Sequence, residues 1–269
     1  MSLPIICMLF AIIAYLTGAL YLLKHLYSKT QANAFFVWSV LFVGLVCHTL
    51  TLSMDMLTPW GINYEIFNLI SFISALVLLL GIIFSMYRPV LVLNLISAPV
   101  AIAGVMAGTL LDTPNAIIRQ QGFAIDTHIF LSLSAYAVLF IATIHSILIW
   151  FQNRELKKKQ KRRMWVLLLP SLQTMQSLLF DLILMGFTLL TIALSFGLFQ
   201  IDDFFGQHLA HKTAFSILSW IIYGTLLIGH WKFGWRGNHA IQMTLVAFVV
   251  LAIGFIGSKF VLEMLLSTP

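Results

Sequence analysis

Three histidines, His48, His128 and His211, lie near the ends of apolar stretches in a chain that holds few ionisable residues. The neutral imidazole is a common ligand of iron and other transition metals, and it also takes part in hydrogen bonds. An ionisable side chain close to lipid is costly, so it usually faces a protein interior, a cavity or a bound group. These three side chains therefore indicate a binding site at the level of the membrane.

The composition predicts the elements that position these histidines. Of the 269 residues, 61% are apolar and only 9% are charged, whereas soluble domains carry about 25% charged residues. A helix that crosses the membrane needs about 20 apolar residues. We predict an all-α polytopic integral membrane bundle, a single transmembrane domain over residues 1–269, with about eight spans: roughly 3–23, 34–54, 66–86, 89–110, 127–151, 176–199, 212–231 and 241–262.

The distribution of charge predicts how the helices cross the membrane. Basic residues concentrate in alternate connecting segments, which include Lys24, Arg88, Arg236 and the strongly basic segment 152–164. The positive-inside rule places these segments in the cytoplasm and both termini outside. His48, His128 and His211 then fall in the outer leaflet. The net charge of +6 belongs to these loops, so we expect contact with the lipid bilayer and not with nucleic acid.

The outer histidines suit one particular metal site. Two imidazoles from facing helices can bind a haem iron from both sides, and the core of a helix bundle is a usual place for such a site. The best pair is His128 with His211, and His48 is an alternate ligand or a hydrogen-bonding residue behind the ligands. The alternative is that each histidine caps a helix or bonds across a helix interface. His208 and His211 are three positions apart and share one helical face if the helix begins early, so with Asp202 and Asp203 nearby they offer a weaker surface site for a divalent cation.

A second set of candidates falls on the predicted cytoplasmic side. His145 lies 17 positions after His128 (145 − 128), roughly 25 Å along one helix, so the two cannot bind one iron. His145 and His230 are candidates for a separate inner site, and Arg236 for binding a phosphate or a propionate. The alternative is that these side chains contact carbonyl groups and lipid headgroups at the helix ends.

Several segments resemble a known family of membrane proteins. The helix from His128 to Tyr136, the segment Gly186–Thr191 with Gly197, and Arg236-Gly237 resemble the cytochrome c assembly (CcsA/HemX-like) family. The segments 169–175 and 257–263 resemble its short subfamily called YpjD. The resemblance implies haem as cofactor, a role in cytochrome c assembly, location in the bacterial inner membrane, and a haem-ligating histidine at His128.

The chain departs from that family at two places. The tryptophan-rich WWD loop that holds haem at the outer surface is missing, because segment 200–210 contains no Trp. The second outer histidine near the end of the last helix is also missing from segment 257–266. We therefore expect haem binding without the catalysis of a complete haem lyase, and the sequence holds no hydrolase motif.

These observations predict a haem-handling protein of the inner membrane that holds haem in an outer-leaflet histidine pocket. The alternative is a cofactor-free accessory protein that regulates a transporter or an enzyme of haem biosynthesis. In that case the basic segment Arg154–Arg163 is the expected docking surface for a protein partner. Ion-coupled transport is a weaker interpretation, because acidic residues within the spans are scarce.

Overall fold

The computed structural model describes residues 2–28, 30–59, 61–88, 90–111, 118–119, 122–157, 169–198 and 207–254. Eight α-helices account for most of these residues, which confirms the predicted all-α polytopic fold. In chain order they are α1 (Leu3–Ser28), α2 (Ala34–Met56), α3 (Ile66–Tyr87), α4 (Asn94–Leu110), α5 (Phe123–Leu156), α6 (Leu172–Leu198), α7 (Gln207–Phe233) and α8 (Asn238–Ala252).

Seven of the described helices are long and apolar enough to cross a membrane. The eighth, α8, has 15 residues within the described part of the chain, and the span predicted for it continues into 255–269, which lie outside that part. Helix α5 begins at Phe123, four residues before the predicted start. The chain is therefore a multi-pass membrane protein, and which side of the membrane each terminus occupies stays a prediction.

A small antiparallel sheet, which the sequence did not reveal, lies in the loops. Strand β1 (Leu57–Thr58) pairs with β2 (Gly61–Asn63), and β2 pairs with β3 (Ile118–Arg119). Thr58 Oγ1 donates a hydrogen bond to the Gly61 carbonyl at 2.7 Å, and Gly61 takes a positive φ of 131° that few other residues adopt. Strands this short carry little pattern of their own, which is why the sequence analysis missed them.

The helices divide into two compact units, of which the first contains α1 to α4. Within it, α1 packs on α2 and α4, and α3 packs on α2 and α4. Small residues allow this close packing: a Cβ at Gly44 would lie 2.6 Å from the Tyr15 ring, and Gly104 lies directly against Ser74. Membrane helices associate largely through such close approach, because apolar surface gains little by leaving lipid.

The second unit contains α5 to α8. Helix α5 packs on α6 and α8, and α7 also packs on α6 and α8. Gly186 lets α6 approach α5, since a Cβ there would lie 2.5 Å from Leu139 Cδ2. Helices α6 and α8 therefore each contact both α5 and α7, the helices that carry His128 and His211.

Candidate functional site

His128 lies in the second turn of α5 and is half-buried. Its Nδ1 lies 2.8 Å from the carbonyl oxygen of Ala193 on α6. A carbonyl only accepts, so Nδ1 donates and carries the proton of the neutral ring. The lone pair is then on Nε2, the nitrogen with which an imidazole held in this way binds a metal.

Helix α6 can approach the His128 ring because Gly197 has no side chain. A Cβ at Gly197 would lie 2.8 Å from His128 Cε1 and 3.2 Å from Nδ1, closer than real Cβ contacts. Gly186, Ala193 and Gly197 recur at helical spacing on one side of α6, the side that faces α5. Gly186 and Gly197 both belong to segments that resemble the family, but nothing in the sequence connects Gly197 with His128.

His211, the predicted partner of His128, lies in the second turn of α7, which begins at Gln207. The side chains of His208 and His211 fall outside the part of the chain that the structure describes, as do Asp202 and Asp203. The haem pair and the cation site therefore remain predictions. Helix α6 packs against both α5 and α7, so the carrier helices belong to one packed unit.

His48 is fully buried in the first unit, where both of its ring nitrogens are hydrogen-bonded. Nδ1 lies 3.1 Å from the Tyr15 hydroxyl on α1, and Nε2 lies 2.9 Å from Ser71 Oγ on α3. A neutral ring meets these hydroxyls with one donor and one acceptor, so both positions are occupied. His48 thus links three helices, which matches the hydrogen-bonding role that the sequence analysis offered as the alternative to ligation.

Among the inner candidates, His145 is turned into the second unit. It is 1% exposed, and its Nε2 donates a hydrogen bond to the Met175 carbonyl at 2.8 Å. Its Nδ1 is buried and has no hydrogen-bond partner. The contact holds the C-terminal half of α5 to the first turn of α6.

His230 and Arg236 are brought together at another place. His230 Nδ1 donates to the Trp235 carbonyl at 3.0 Å, and its ring stacks on Phe180 with 3.5 Å between centroids. Both His230 and Arg236 line a groove of about 290 Å³ between α6 and α7, and His145 does not. The predicted inner site is therefore divided between the core and this groove.

A cluster of polar side chains in the core of the second unit escaped the sequence analysis. Tyr223 is fully buried, its hydroxyl donates to the Thr244 carbonyl at 3.5 Å, and the side chains of Thr143 and Thr244 are buried in the same unit. Tyr136, the last residue of the family-like segment that begins at His128, is 8% exposed and packs on Phe248. The sequence does not show that these threonines belong to a polar cluster, because threonine hydroxyls within apolar helices usually bond to a carbonyl of their own helix.

The described residues hold no group of three His, Cys, Asp or Glu side chains that could bind a metal ion together. Of the basic segment, Arg154 is exposed and lies over the Trp150 ring at 5.4 Å. Residues 158–168 lie outside the described part of the chain.

Comparison with known proteins supports the family resemblance. The profile of the family described as Cytochrome C assembly protein matches residues 39–266. The Inner membrane protein YpjD of Escherichia coli is 27% identical over 226 residues, which cover 83% of this chain and 85% of that protein. An uncharacterized 28.8 kDa protein of Azospirillum brasilense, encoded in a nifR3-like 5′ region, is 30% identical over 167 residues and 61% of each chain.

Proposed function

The chain belongs to the cytochrome c assembly family of inner-membrane proteins, and from that premise we propose that it holds haem in a pocket near the outer face of the membrane. His128 is the proposed ligand, and His211 is its proposed partner on α7. In this role the protein would bind and orient haem through His128 and His211, and haem would supply the redox chemistry when bound.

The hydrogen bond from His128 Nδ1 to the Ala193 carbonyl carries this proposal. Metal-ligating histidines almost always donate their other ring N–H to a carbonyl, a carboxylate or water, which fixes the tautomer and the orientation of the ring. The 2.8 Å contact has that form, and Gly197 leaves the space in which the ring is held. The surroundings of His128 therefore fit a histidine that binds a haem iron.

The remaining histidines receive different roles. His211 is proposed as the second ligand because it lies in the second turn of α7, a helix that packs on α6 as α5 does. For His48, the contacts with Tyr15 and Ser71 favour a hydrogen-bonding role over ligation. His145 is best explained as a tether between α5 and α6, because its Nε2–H is directed to Met175.

Absorption spectra of the detergent-purified protein, titrated with haem, test this proposal. We expect one haem per chain in the wild type, and loss of the bands that indicate two imidazole ligands in His128→Ala and in His211→Ala. His239→Ala is the matched control, since His239 is exposed near the start of α8 and should leave the spectrum unchanged. An unchanged spectrum in both ligand variants would overturn the assignment.

The same experiment distinguishes the alternative function. If the wild type binds no haem at any concentration tested, the accessory-protein hypothesis takes its place. Capture of the tagged protein in mild detergent then looks for a stoichiometric membrane partner. Replacing the basic residues of Arg154–Arg163 with glutamine should release that partner if the basic segment is its docking surface.

A further inference from the structure

A groove lies where α6 begins and α7 ends, and we name it the α6–α7 groove. Its wall on α6 is formed by residues that recur every three to four positions, from Gln173 to Leu184, and so share one side of the helix. Its wall on α7 is formed by Leu227, His230 and Trp231. The volume is about 290 Å³, at the small end of the range for small-molecule sites.

The groove changes from polar to apolar along its length. Gln173, Gln176 and Ser177 line it near the start of α6, and Leu184 lies about 11 residues further along, roughly 16 Å into the membrane. Leu184 is 42% exposed at this deeper level, and Trp231, two residues before the end of α7, is 63% exposed near the polar end. Because both helices are membrane-spanning, these exposed side chains face lipid. The deeper end is therefore open to the acyl chains of the bilayer.

The polar end of the groove carries the guanidinium group of Arg236, and a defined turn holds the backbone around this residue. Helix α7 ends at Phe233, the next residue Gly234 takes a positive φ of 67°, and Gly237 three residues later has a φ of 63°. The Trp235 N–H bonds to the Gly229 carbonyl at 3.2 Å, and the Trp235 ring lies directly against Gly229. Arg236 follows Trp235 in this turn and lines the groove.

One carboxylate shares the groove. Asp181 lies one turn further along α6 than Ser177, so the lining holds one acidic side chain in addition to the basic Arg236 at the polar end. Lys232 is exposed close by on α7 and adds positive charge outside the lining. The charges thus favour an anionic group at the membrane surface and an apolar chain below it.

We infer that the α6–α7 groove binds an anionic phospholipid. The phosphate lies on Arg236, where a guanidinium can donate two parallel hydrogen bonds, and the amides of Gln173 and Gln176 are further donors. One acyl chain lies along Leu184, Leu227 and Trp231. Basic pockets between membrane helices are known to bind lipid headgroups in this way. This site is independent of the proposed haem pocket, since His128 does not line it.

The experiment is native mass spectrometry of the full chain in detergent, titrated with phosphatidylglycerol and, in parallel, with phosphatidylcholine. We expect one tightly bound phosphatidylglycerol per chain and weaker binding of phosphatidylcholine. Arg236→Gln should lower the affinity for phosphatidylglycerol about tenfold, the effect of losing one strong charge-assisted interaction. Lys232→Gln removes the same charge close by but outside the lining, and should change the affinity less than about twofold.

Other outcomes would overturn the inference. Equal losses in Arg236→Gln and Lys232→Gln would mean that surface charge, and not the groove, attracts the lipid. Equal binding of phosphatidylcholine would remove the role of the net negative charge. Displacement of phosphatidylglycerol by millimolar inorganic phosphate would assign the groove to free phosphate. If haem displaces phosphatidylglycerol and the Arg236→Gln protein loses the Soret band, the α6–α7 groove is a haem site and not a lipid site. Circular dichroism and unfolding temperatures of each variant establish that the protein is folded.

Discussion

The imidazole of His128 packs against Gly197, so closely that a Cβ at position 197 would lie 2.8 Å from His128 Cε1. The same ring donates its Nδ1 proton to Ala193, one helical turn before Gly197. Helix α6 therefore fixes both the position and the tautomer of the proposed ligand. This relationship joins two residues 69 positions apart (197 − 128) in a single site.

Gly197→Ala should move His128 and lower haem binding without loss of the fold. The added methyl group has to displace the ring, which breaks the bond to Ala193 or turns Nε2 away from its place. We expect the affinity for haem to fall by at least about tenfold, the typical cost of losing a hydrogen-bonding partner of a metal ligand, and the haem-to-protein ratio to fall accordingly when haem is sub-saturating. The ratio is measured by pyridine haemochrome after reconstitution.

Gly224→Ala is the matched control for that change. It lies on α7, and its added Cβ would meet Phe187 at 3.4 Å, an ordinary van der Waals distance. Haem binding should match that of the wild type. A Gly197→Ala protein that keeps full haem binding would contradict the role assigned to the His128 environment.

His48→Ala should destabilise the protein and leave the haem-to-protein ratio of the folded fraction unchanged. The substitution leaves the Tyr15 hydroxyl and Ser71 Oγ without their partner, and it creates a cavity in a fully buried place. We expect a loss of about 2 kcal/mol or more in the free energy of unfolding. Denaturant unfolding in detergent micelles gives this value.

Thr49→Ala serves as the neighbouring control for His48. Thr49 is exposed and its hydroxyl bonds only to the Val46 carbonyl of its own helix, so its replacement should change stability by less than about 0.5 kcal/mol. If His48→Ala instead lost haem in fully folded protein, His48 would be a ligand and the hydrogen-bonding assignment would be wrong.

His145→Ala should loosen the contact between α5 and α6 without altering the haem spectrum. Removing a side chain that is 1% exposed opens a cavity and breaks the bond to the Met175 carbonyl, at an expected cost of about 2–4 kcal/mol. Thermal unfolding measures the loss, and absorption at the Soret maximum reports the haem. A spectrum changed in this variant would reinstate an inner haem site at His145.

The predicted orientation is tested at the two ends of α5. Phe123 is 88% exposed at its start, and Lys157 is exposed just after its last residue. In a variant without Cys7 and Cys47, a cysteine in place of Phe123 should react with an impermeant maleimide in intact spheroplasts. A cysteine in place of Lys157 should react only after the membrane is permeabilised. The reverse pattern would place the N-terminus in the cytoplasm.

The helices were predictable because each needs about 20 apolar residues, and that requirement is visible in sequence. Which side of a helix faces its neighbours was not predictable. On α1, Leu20 is 60% exposed and Leu22 is 5% exposed, yet both are leucines, because lipid accepts apolar side chains as readily as the core does. The periodic contrast that marks the core side of a soluble helix is therefore weak here.

The candidate site was predictable only in part for the same reason. His128 stands out as an ionisable residue near lipid, but the Ala193 carbonyl that orients it is a backbone group and carries no signal of its own. Gly197 is recognisable in the sequence as a glycine within a helix, but its role in making room for the His128 ring is apparent only from the contact with α5. Likewise, nothing in the sequence links His48 to Tyr15 and Ser71, which are 33 and 23 positions away.

The central claim is that His128 binds haem, and the most direct test is the low-temperature electron paramagnetic resonance spectrum of haem-loaded wild type beside His128→Ala. We expect a low-spin signal of a haem with two imidazole ligands in the wild type. In His128→Ala it should give way to a high-spin signal, and added imidazole should restore it. The same low-spin signal in both proteins without added imidazole, or no haem signal in the wild type, would contradict the claim.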